Sequence, residues 1–277
     1  MREEKTVRAG GWVTRYLEVG DPSAPTVVLL HDGAYGASGE LSWGRVADLL
    51  SDRYHVLAPD MLGWGGADKV IFFDRSPYTP RIEQISSFCR ALDVRDAVFV
   101  GVSFGGSVLL RALVQPDQPF PARLAIALNA TGGPFRRPEG LVELSDYAMP
   151  SLDAARRITA LLVDDIDAVE KHVVERYENS LIPGHWEVMT ASAMRNPAAG
   201  PPPPPADFLP LLSAVTVPVV FVEGTRDQLL EPGWAATMSK ATPGSRALTA
   251  AFAHEPNIDA PGELADLLVR IIAEESR

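Results

Sequence analysis

The stretch Gly101-Val102-Ser103-Phe104-Gly105 has the spacing that presents a serine as a nucleophile. In this G-x-S-x-G pattern a strand turns sharply into a helix, and the serine hydroxyl is exposed at the tip of the turn. Strand and helix approach so closely that side chains flanking the serine would collide, which explains the glycines at 101 and 105. Apolar residues precede the pattern and helically spaced residues follow it. The chemistry indicated is attack by the Ser103 hydroxyl on an electrophilic carbon.

A serine hydroxyl attacks well only when a base removes its proton, and His254 is the best-placed base. It follows a predicted strand near the C-terminus, and the carboxyl ends of parallel strands meet at one edge of a sheet. The other histidines lie in the first strand-end loop, inside a strand or in the middle of the chain. The orienting carboxylate is expected between serine and histidine, and Asp227 follows a strand there. Asp227 would fix the tautomer of His254; Glu223, at the strand end, is the nearest competitor.

The negative oxygen formed during such an attack needs hydrogen-bond donors, and two backbone amides are candidates. One is the N–H of Phe104, at the start of the helix. The other is expected from the loop that begins at His31, and Gly33 is the best candidate because a glycine lets its amide approach closely. Asp32 would oppose the developing charge unless its carboxylate points away or is neutralised, so its role stays open.

Strands and helices alternate along the chain, which predicts an α/β fold with a mostly parallel sheet covered by helices on both faces. After a hairpin over 7–18, strands are predicted at 26–30, 54–58, 96–102, 124–128, 217–223 and 245–251. Helices are predicted near 43–51 and at 79–92, 106–114, 231–241 and 262–275.

The alternation stops near Gly132 and resumes near Thr216, with helices predicted at 151–163 and 167–180 between them. We therefore predict one core in two halves, 1–132 and 208–277, separated by a helical cap over 133–207. The proline run at 201–205 should be extended and stiff, and a plain spacer is its simplest interpretation.

Composition restricts the partners. The chain has 277 residues, of which 46% are hydrophobic, and a formal net charge of −11; its isoelectric point is near 4.9. An acidic chain without a basic patch is a poor match for nucleic acid or an anionic membrane. The single cysteine, Cys89, excludes an intrachain disulfide, and no signal peptide or membrane-spanning run is evident. We expect a cytoplasmic protein with a small-molecule substrate and no cofactor or metal; whether it forms a homodimer stays open.

Three stretches carry a family resemblance: Leu-Leu-His-Asp-Gly-Ala-Tyr-Gly-Ala-Ser-Gly, Val-Leu-Ala-Pro-Asp-Met-Leu-Gly-Trp-Gly and Gly-Val-Ser-Phe-Gly-Gly. With these the chain resembles the α/β-hydrolases over nearly its whole length. Within them it is most similar to the carbon–carbon bond hydrolases that open meta-cleavage products of aromatic degradation. The segment Val-Glu-Arg-Tyr-Glu-Asn-Ser also matches, and the resemblance implies that its arginine, Arg176, grips a substrate carboxylate. A guanidinium fork suits a planar carboxylate; an arginine paired on a helix surface is the alternative.

The chain departs from that family at three positions. The family usually has asparagine before the nucleophile, tryptophan after the histidine and glycine after the first-loop histidine, where this chain has Val102, Glu255 and Asp32. The first two normally help to hold the dienoate substrate. The departures favour a serine hydrolase acting on a carboxylic ester or lactone over a C–C bond hydrolase of a 2-hydroxy-6-oxo-dienoate. A non-hydrolytic binding or rearrangement protein on the same fold is a third hypothesis.

Substrate contacts are predicted in the cap and in the first loop. Trp186, with Tyr177, Met189 and Met194, could line an apolar pocket over Ser103 or could be ordinary core residues. Tyr35 could face that pocket or the solvent. The sequence does not decide between these alternatives.

Overall fold

A computed structural model describes residues 3–145, 149–191 and 207–275 of the chain. Its strands form one sheet of eight in the order β1-β2-β4-β3-β5-β6-β7-β8. They are β1 (Glu3–Ala9), β2 (Trp12–Val19), β3 (Thr26–Leu30), β4 (His55–Pro59), β5 (Ala97–Val102), β6 (Ala122–Leu128), β7 (Val219–Gly224) and β8 (Arg246–Ala250). The first two strands pair antiparallel, β2 pairs antiparallel with β4, and all other pairs are parallel. The predicted α/β architecture is confirmed.

Helices cover both faces of this sheet. In the described part of the chain they are α1 (Gly39–Leu50), α2 (Thr79–Ala91), α3 (Ser103–Leu113), α4 (Pro138–Ser145), α5 (Leu152–Ala160), α6 (Glu170–Ser180), α7 (His185–Ala191), α8 (Trp234–Ala241), α9 (Pro256–Asp259) and α10 (Pro261–Glu275). One apolar cluster packs α1 and α10 against the sheet, and another packs α2, α3 and α8 against the opposite face. A sheet buried on both faces explains why its central strands are continuous apolar runs rather than alternating ones.

Several element boundaries differ from the sequence prediction for local reasons. Helix α1 begins at Gly39 because the Ser38 hydroxyl accepts a hydrogen bond from the amide of Leu41, at 3.1 Å. Helix α8 begins only at Trp234, since Gly233 before it has φ 84°. The short helices α4, α7 and α9 were not predicted, and the proline run at 201–205 lies outside the described residues.

Strand β5 lies at the centre of the sheet and is buried along its whole length. It pairs with β3 on one side, Val27 opposite Val98, and with β6 on the other, Val98 opposite Leu124. The carboxyl ends of β3, β5, β6, β7 and β8 therefore lie side by side. The loops that leave these ends carry the residues singled out from the sequence.

Residues between β6 and β7 are tied to that edge by hydrogen bonds. The His185 ring accepts from the amide of Gly36 at 2.9 Å and donates to the carbonyl of Gly63 at 2.9 Å. The amide of Glu255 donates to the carbonyl of Leu162 at 2.8 Å. Helices α5 to α7 are thus held over the carboxyl edge of the sheet.

Candidate active site

Ser103 lies at the junction of β5 and α3 with φ 52°. This is the left-handed region, which is strained for a residue with a side chain. A Cβ on Gly105 would come within 2.4 Å of the carbonyl oxygens of Leu30 and His31, and one on Gly101 within 2.5 Å of Gly106. Glycine is required at Gly101 because strand and helix approach closely, as the sequence pattern indicated, and at Gly105 because the end of the neighbouring strand β3 lies against it.

Ser103, His254 and Asp227 form one hydrogen-bonded row. The Ser103 Oγ lies 2.8 Å from His254 Nε2, and His254 Nδ1 lies 2.8 Å from Asp227 Oδ2. A carboxylate only accepts, so Nδ1–H donates to it and Nε2 is left to accept the serine proton. The three residues come from the ends of β5, β8 and β7, so the tertiary fold brings together all three residues predicted from the sequence.

The Asp227 carboxylate is kept ionised within this row. Burial opposes its ionisation, but the imidazole of His254 and the backbone amide of Leu229, which donates at 2.7 Å, outweigh burial and hold the pKa of Asp227 below its ordinary value. Both Asp227 and His254 are buried. A fixed negative charge is therefore ready to stabilise an imidazolium at His254.

Asn129, at the end of β6, holds the histidine loop, and the sequence analysis did not identify it. Its amide nitrogen donates to the carbonyls of Ala253 and His254, each at 2.8 Å. Its amide oxygen accepts from the amide of Gly224 at 2.7 Å. Asn129 has φ 45° and is buried. The sequence feature that could have identified it is its position as a polar residue directly after an apolar central strand.

Gly33 and Phe104 lie against each other beside Ser103. A Cβ on Gly33 would come within 2.6 Å of the Cβ of Phe104, and both residues line the same cavity as Ser103 and His254. The Phe104 ring is fixed between Tyr78, 5.3 Å away by ring centroids, and Trp64, 5.5 Å away. The first-turn amide of α3 has no partner within the helix, and the role of the Phe104 and Gly33 amides toward a negative oxygen stays a prediction.

The cavity beside this row has a volume of about 200 Å³. Most of its wall is apolar: Ala34, Phe104, Ala130, Leu144, Leu162, Leu229 and Leu230. The polar residues besides Ser103 and His254 are Ser107, Asn129, Thr131, Arg136 and Glu255. An apolar cavity with a few convergent polar groups is typical of a small-molecule site.

Arg176 does not line this cavity, and it is fully buried next to two carboxyl groups. Its Nη1 lies 3.5 Å from Asp32 Oδ1, its Nη2 lies 3.6 Å from Glu255 Oε2, and all three side chains are at most 1% exposed. Nη1 also donates to the carbonyl of Tyr35 at 3.0 Å, and Nη2 contacts His172 Nε2 at 3.2 Å. Arg176, Asp32 and Glu255 are called the buried charge cluster below.

The two carboxyl groups of the cluster differ in ionisation. Burial, together with the charge of Asp32, raises the pKa of Glu255 well above its ordinary value. Burial also opposes ionisation of Asp32, but Arg176 overcomes it and the pKa of Asp32 is lowered. The cluster therefore favours one ion pair, Arg176 with Asp32, and favours the protonated form of Glu255 beside it.

The Asp32 carboxylate is held away from the place where a negative oxygen would form beside Gly33. It accepts from the amide of Ala34 at 2.8 Å and from the Ser42 hydroxyl at 2.6 Å, and it faces Arg176. The side chain points away from the cavity and its charge is neutralised. It does not oppose a negative charge that develops beside Gly33.

Tyr35 and Trp186 also lie away from the cavity wall. The Tyr35 side chain is buried, with its ring centroid 5.4 Å from that of His185. Trp186 is partly buried and packs against the same apolar core cluster that contains Met189. Trp186 and Met189 are therefore better described as ordinary core residues than as the lining of a pocket over Ser103. Met194 lies outside the described residues.

The remaining loop histidines have structural contacts. His31 Nε2 accepts from the amide of Met61 at 2.9 Å while Nδ1 contacts the carbonyl of Asp32 at 2.6 Å. Burial lowers the pKa of His31, and it lowers the pKa of His185 to about 4. Both rings are therefore neutral ties between loops at neutral pH.

Across residues 3–145, 149–191 and 207–275, no three His, Cys, Asp or Glu side chains are grouped so that they could hold a metal ion. In the same residues no helix combines the length and the apolar character that a membrane crossing requires.

Comparison with known proteins identifies the family. The sequence profile of the alpha/beta hydrolase family matches residues 27–267 of this chain. A 2-hydroxy-6-oxononadienedioate/2-hydroxy-6-oxononatrienedioate hydrolase of Paraburkholderia xenovorans is 30% identical over 216 residues, which cover 75% of this chain and 72% of the relative. A 2-hydroxy-6-oxo-6-(2'-aminophenyl)hexa-2,4-dienoic acid hydrolase of Metapseudomonas resinovorans is 39% identical over 63% of this chain and 58% of its own length.

Solved structures agree on the fold. A meta-cleavage product hydrolase from Pseudomonas fluorescens superposes with a TM-score of 0.83 at 23% identity, covering 98% of this chain and 97% of that one. An esterase from Rhodococcus superposes with a TM-score of 0.78 at 19% identity, covering 98% of each chain. The resemblance seen in the sequence motifs is confirmed. The chain belongs to the alpha/beta hydrolase family.

Proposed function

We propose that this chain is a serine hydrolase that cleaves a small carboxylic ester or lactone through an acyl-enzyme. The observation that carries this proposal is the hydrogen-bonded row of Ser103, His254 and Asp227 on the wall of a mostly apolar cavity. A nucleophile, a base and an orienting carboxylate in this geometry are the machinery of acyl transfer.

In the proposed reaction Ser103 Oγ attacks the substrate carbonyl carbon while His254 Nε2 takes the hydroxyl proton. The carbonyl oxygen becomes negative and is stabilised by the amides of Gly33 and Phe104; each such donor typically contributes about 3–4 kcal/mol to the transition state. His254 then gives its proton to the leaving alcohol, and the acyl group stays on Ser103. Water, deprotonated by the same imidazole, attacks the acyl carbon; the bond between that carbon and Ser103 Oγ breaks, His254 returns the proton to Oγ, and the acid is released.

The buried charge cluster favours an ester or lactone. In the resembled family an arginine holds the substrate carboxylate, but here Arg176 lies against Asp32 and Glu255 and away from the cavity. Glu255 also stands where that family usually has tryptophan. A dienoate would therefore lose two of the contacts that normally hold it.

A C–C bond hydrolase of a 2-hydroxy-6-oxo-dienoate is the second candidate, and the relatives favour it. The proteins from Paraburkholderia xenovorans and Metapseudomonas resinovorans, 30% and 39% identical, bear the names of such hydrolases. The same nucleophile, base and amide pair would then act on a ketone carbonyl.

We also propose that residues 133–207 act as a cap over the site. The described part of this segment contributes Arg136, Leu144 and Leu162 to the cavity wall. It is joined to the core by the bonds of His185 and by the contact between Leu162 and Glu255. The size of substrate that fits is therefore set partly by the cap.

The test compares turnover of p-nitrophenyl esters of graded acyl length with turnover of one 2-hydroxy-6-oxo-dienoate, both followed by absorbance. Ser103→Ala should lower ester turnover by at least about a thousandfold, whereas Ser213→Ala, at an exposed serine, should match the unmodified protein. Dienoate cleavage faster than every ester would favour the second candidate. Ester turnover that survives Ser103→Ala would overturn both.

A further inference from the structure

Among the described residues one arginine, Arg136, lines the catalytic cavity, and it is not the one that the family resemblance indicated. Arg136 follows β6 and is partly buried in the cavity wall. Its backbone bridges antiparallel to Leu230, the Arg137 amide donates to the Leu229 carbonyl at 2.9 Å, and the Glu231 amide donates to the Phe135 carbonyl at 2.8 Å. These bonds fix the segment on both sides of Arg136, so its side chain leaves a rigid backbone.

The guanidinium of Arg136 has few partners. Its Nη2 donates to the Tyr78 hydroxyl at 3.3 Å. Among the described residues, no carboxylate lies within ion-pair distance of it, although the chain carries 36 acidic residues against 25 Lys and Arg. A guanidinium has five N–H donors, so within the described part of the chain most of those on Arg136 are left for a bound molecule.

The second ionisable group in the wall outside the catalytic row is Glu255, and it does not neutralise Arg136. Glu255 packs against Arg176 and Asp32 and is fully buried. Among the described residues of the cavity wall, the charge left without a partner of opposite sign is therefore the positive charge of Arg136, on a protein whose net charge is −11. A cation in a largely apolar cavity attracts an anion more strongly than it would in water.

We infer that Arg136 binds a carboxylate on the acyl portion of the substrate, a few carbons from the scissile carbonyl. The inference rests on the proposed function, because the same cavity must hold the carbonyl against Ser103. A planar carboxylate can accept two hydrogen bonds from a guanidinium fork. The substrate class is then the half-esters or lactones of dicarboxylic acids, held by Arg136 while Arg176 stays paired inside the protein.

The test compares two esters that differ at one group. Mono-p-nitrophenyl glutarate carries a carboxylate, and p-nitrophenyl 5-methylhexanoate carries an isopropyl group of similar shape in its place. The kcat/KM of the glutarate ester should exceed that of the 5-methylhexanoate ester. Arg136→Met should lower the ratio of these two kcat/KM values by about 10- to 100-fold. Arg136→Lys should restore part of the ratio. Arg137→Met removes the same charge from the neighbouring position outside the cavity and should leave the ratio unchanged.

A binding measurement separates this inference from the proposed function. Calorimetry with monoethyl glutarate on Ser103→Ala should show binding that weakens at least about tenfold when Arg136→Met is added. If this loss occurs while no ester is turned over, the ester proposal fails and the anion site stands. If esters are hydrolysed without preference for the glutarate ester, or if Arg136→Met and Arg137→Met change the ratio equally, the inference about Arg136 is wrong.

Discussion

Replacing Arg176 by methionine tests whether this arginine is a structural charge of the protein rather than a group that meets substrate. The substitution leaves the ionised Asp32 buried without its partner, 3.5 Å from where Nη1 stood. At that distance an ion pair is worth about 5 kcal/mol with an effective dielectric constant of about 20. Removing one member of a buried pair commonly costs about 3–5 kcal/mol. We therefore expect the free energy of unfolding of Arg176→Met to fall by about 3–5 kcal/mol.

The assay is equilibrium urea unfolding followed by tryptophan fluorescence. Arg156→Met is the matched control, because Arg156 pairs with Asp167 and Glu170 at the protein surface, where a pair contributes about 1 kcal/mol or less. Adding Asp32→Asn to Arg176→Met should recover part of the lost stability, since the orphaned charge is then gone. The asparagine oxygen can still accept from the Ala34 amide, and its NH2 group, in the place of Oδ2, can donate to the Ser42 hydroxyl.

Two results would contradict this reasoning. One is an Arg176→Met protein that unfolds within about 1 kcal/mol of the unmodified chain. The other is a double variant less stable than Arg176→Met alone. If stability were unchanged while KM for the glutarate ester rose, Arg176 would be a substrate group after all.

Three further predictions concern the proposed machinery and its surroundings. Asp227→Asn should lower kcat by about a thousandfold or more, because an amide cannot hold His254 in the accepting tautomer; steady-state kinetics checks this. The pKa of Glu255 is raised in the folded state, so folding favours its protonated form, and the contribution of this one group to stability declines as pH rises above about 4. Glu255→Gln should remove that decline, which urea unfolding between pH 4 and 8 would show. His185, whose pKa is about 4 in the folded protein, binds its proton more readily when unfolded, so its own contribution to stability should fall by roughly 3 kcal/mol as pH drops from about 6.5 to 4; the difference in stability between the unmodified protein and His185→Gln should shift by that amount over this range.

For Glu255→Gln, a decline that persists unchanged would mean that another group takes up the proton. For His185→Gln, an unchanged acid profile would place the acid sensitivity elsewhere, His172 being the next candidate because its pKa is lowered to about 3. Asp227→Asn with nearly full kcat would exclude the proposed role of Asp227 in orienting the imidazole.

Local patterns were sufficient to predict the nucleophile turn. Glycine is required at Gly101 and Gly105 because backbone atoms nearby in the chain or in the neighbouring strand leave no room for a Cβ. This requirement appears in the sequence as a recognisable pentapeptide pattern. The order of strands along the chain also identified which loops meet, so His254 and Asp227 could be chosen from their positions after strands. Their hydrogen bonds at 2.8 Å fit those choices.

The surroundings of Arg176 could not be predicted in the same way. Asp32, Arg176 and Glu255 are far apart in the chain, and no local pattern indicates that two acids and a base share one buried space. The role of Asn129 could not be predicted either, since its partners are the Gly224 amide at the end of β7 and two carbonyls in the loop after β8. Such contacts depend on side-chain direction and packing, which periodicity does not encode.

The sequence by itself determined the α/β fold, the nucleophile turn and the candidates for base and acid, because backbone sterics and hydrophobic periodicity act over short spans of chain. Only the tertiary structure decided which arginine faces the cavity. The charge of Arg176 is balanced by carboxyl groups that folding brings against it, while Arg136 reaches the cavity with no carboxyl group of the described residues within ion-pair distance. The free energy of a buried charge depends on its neighbours in space, and the chain order alone does not specify them.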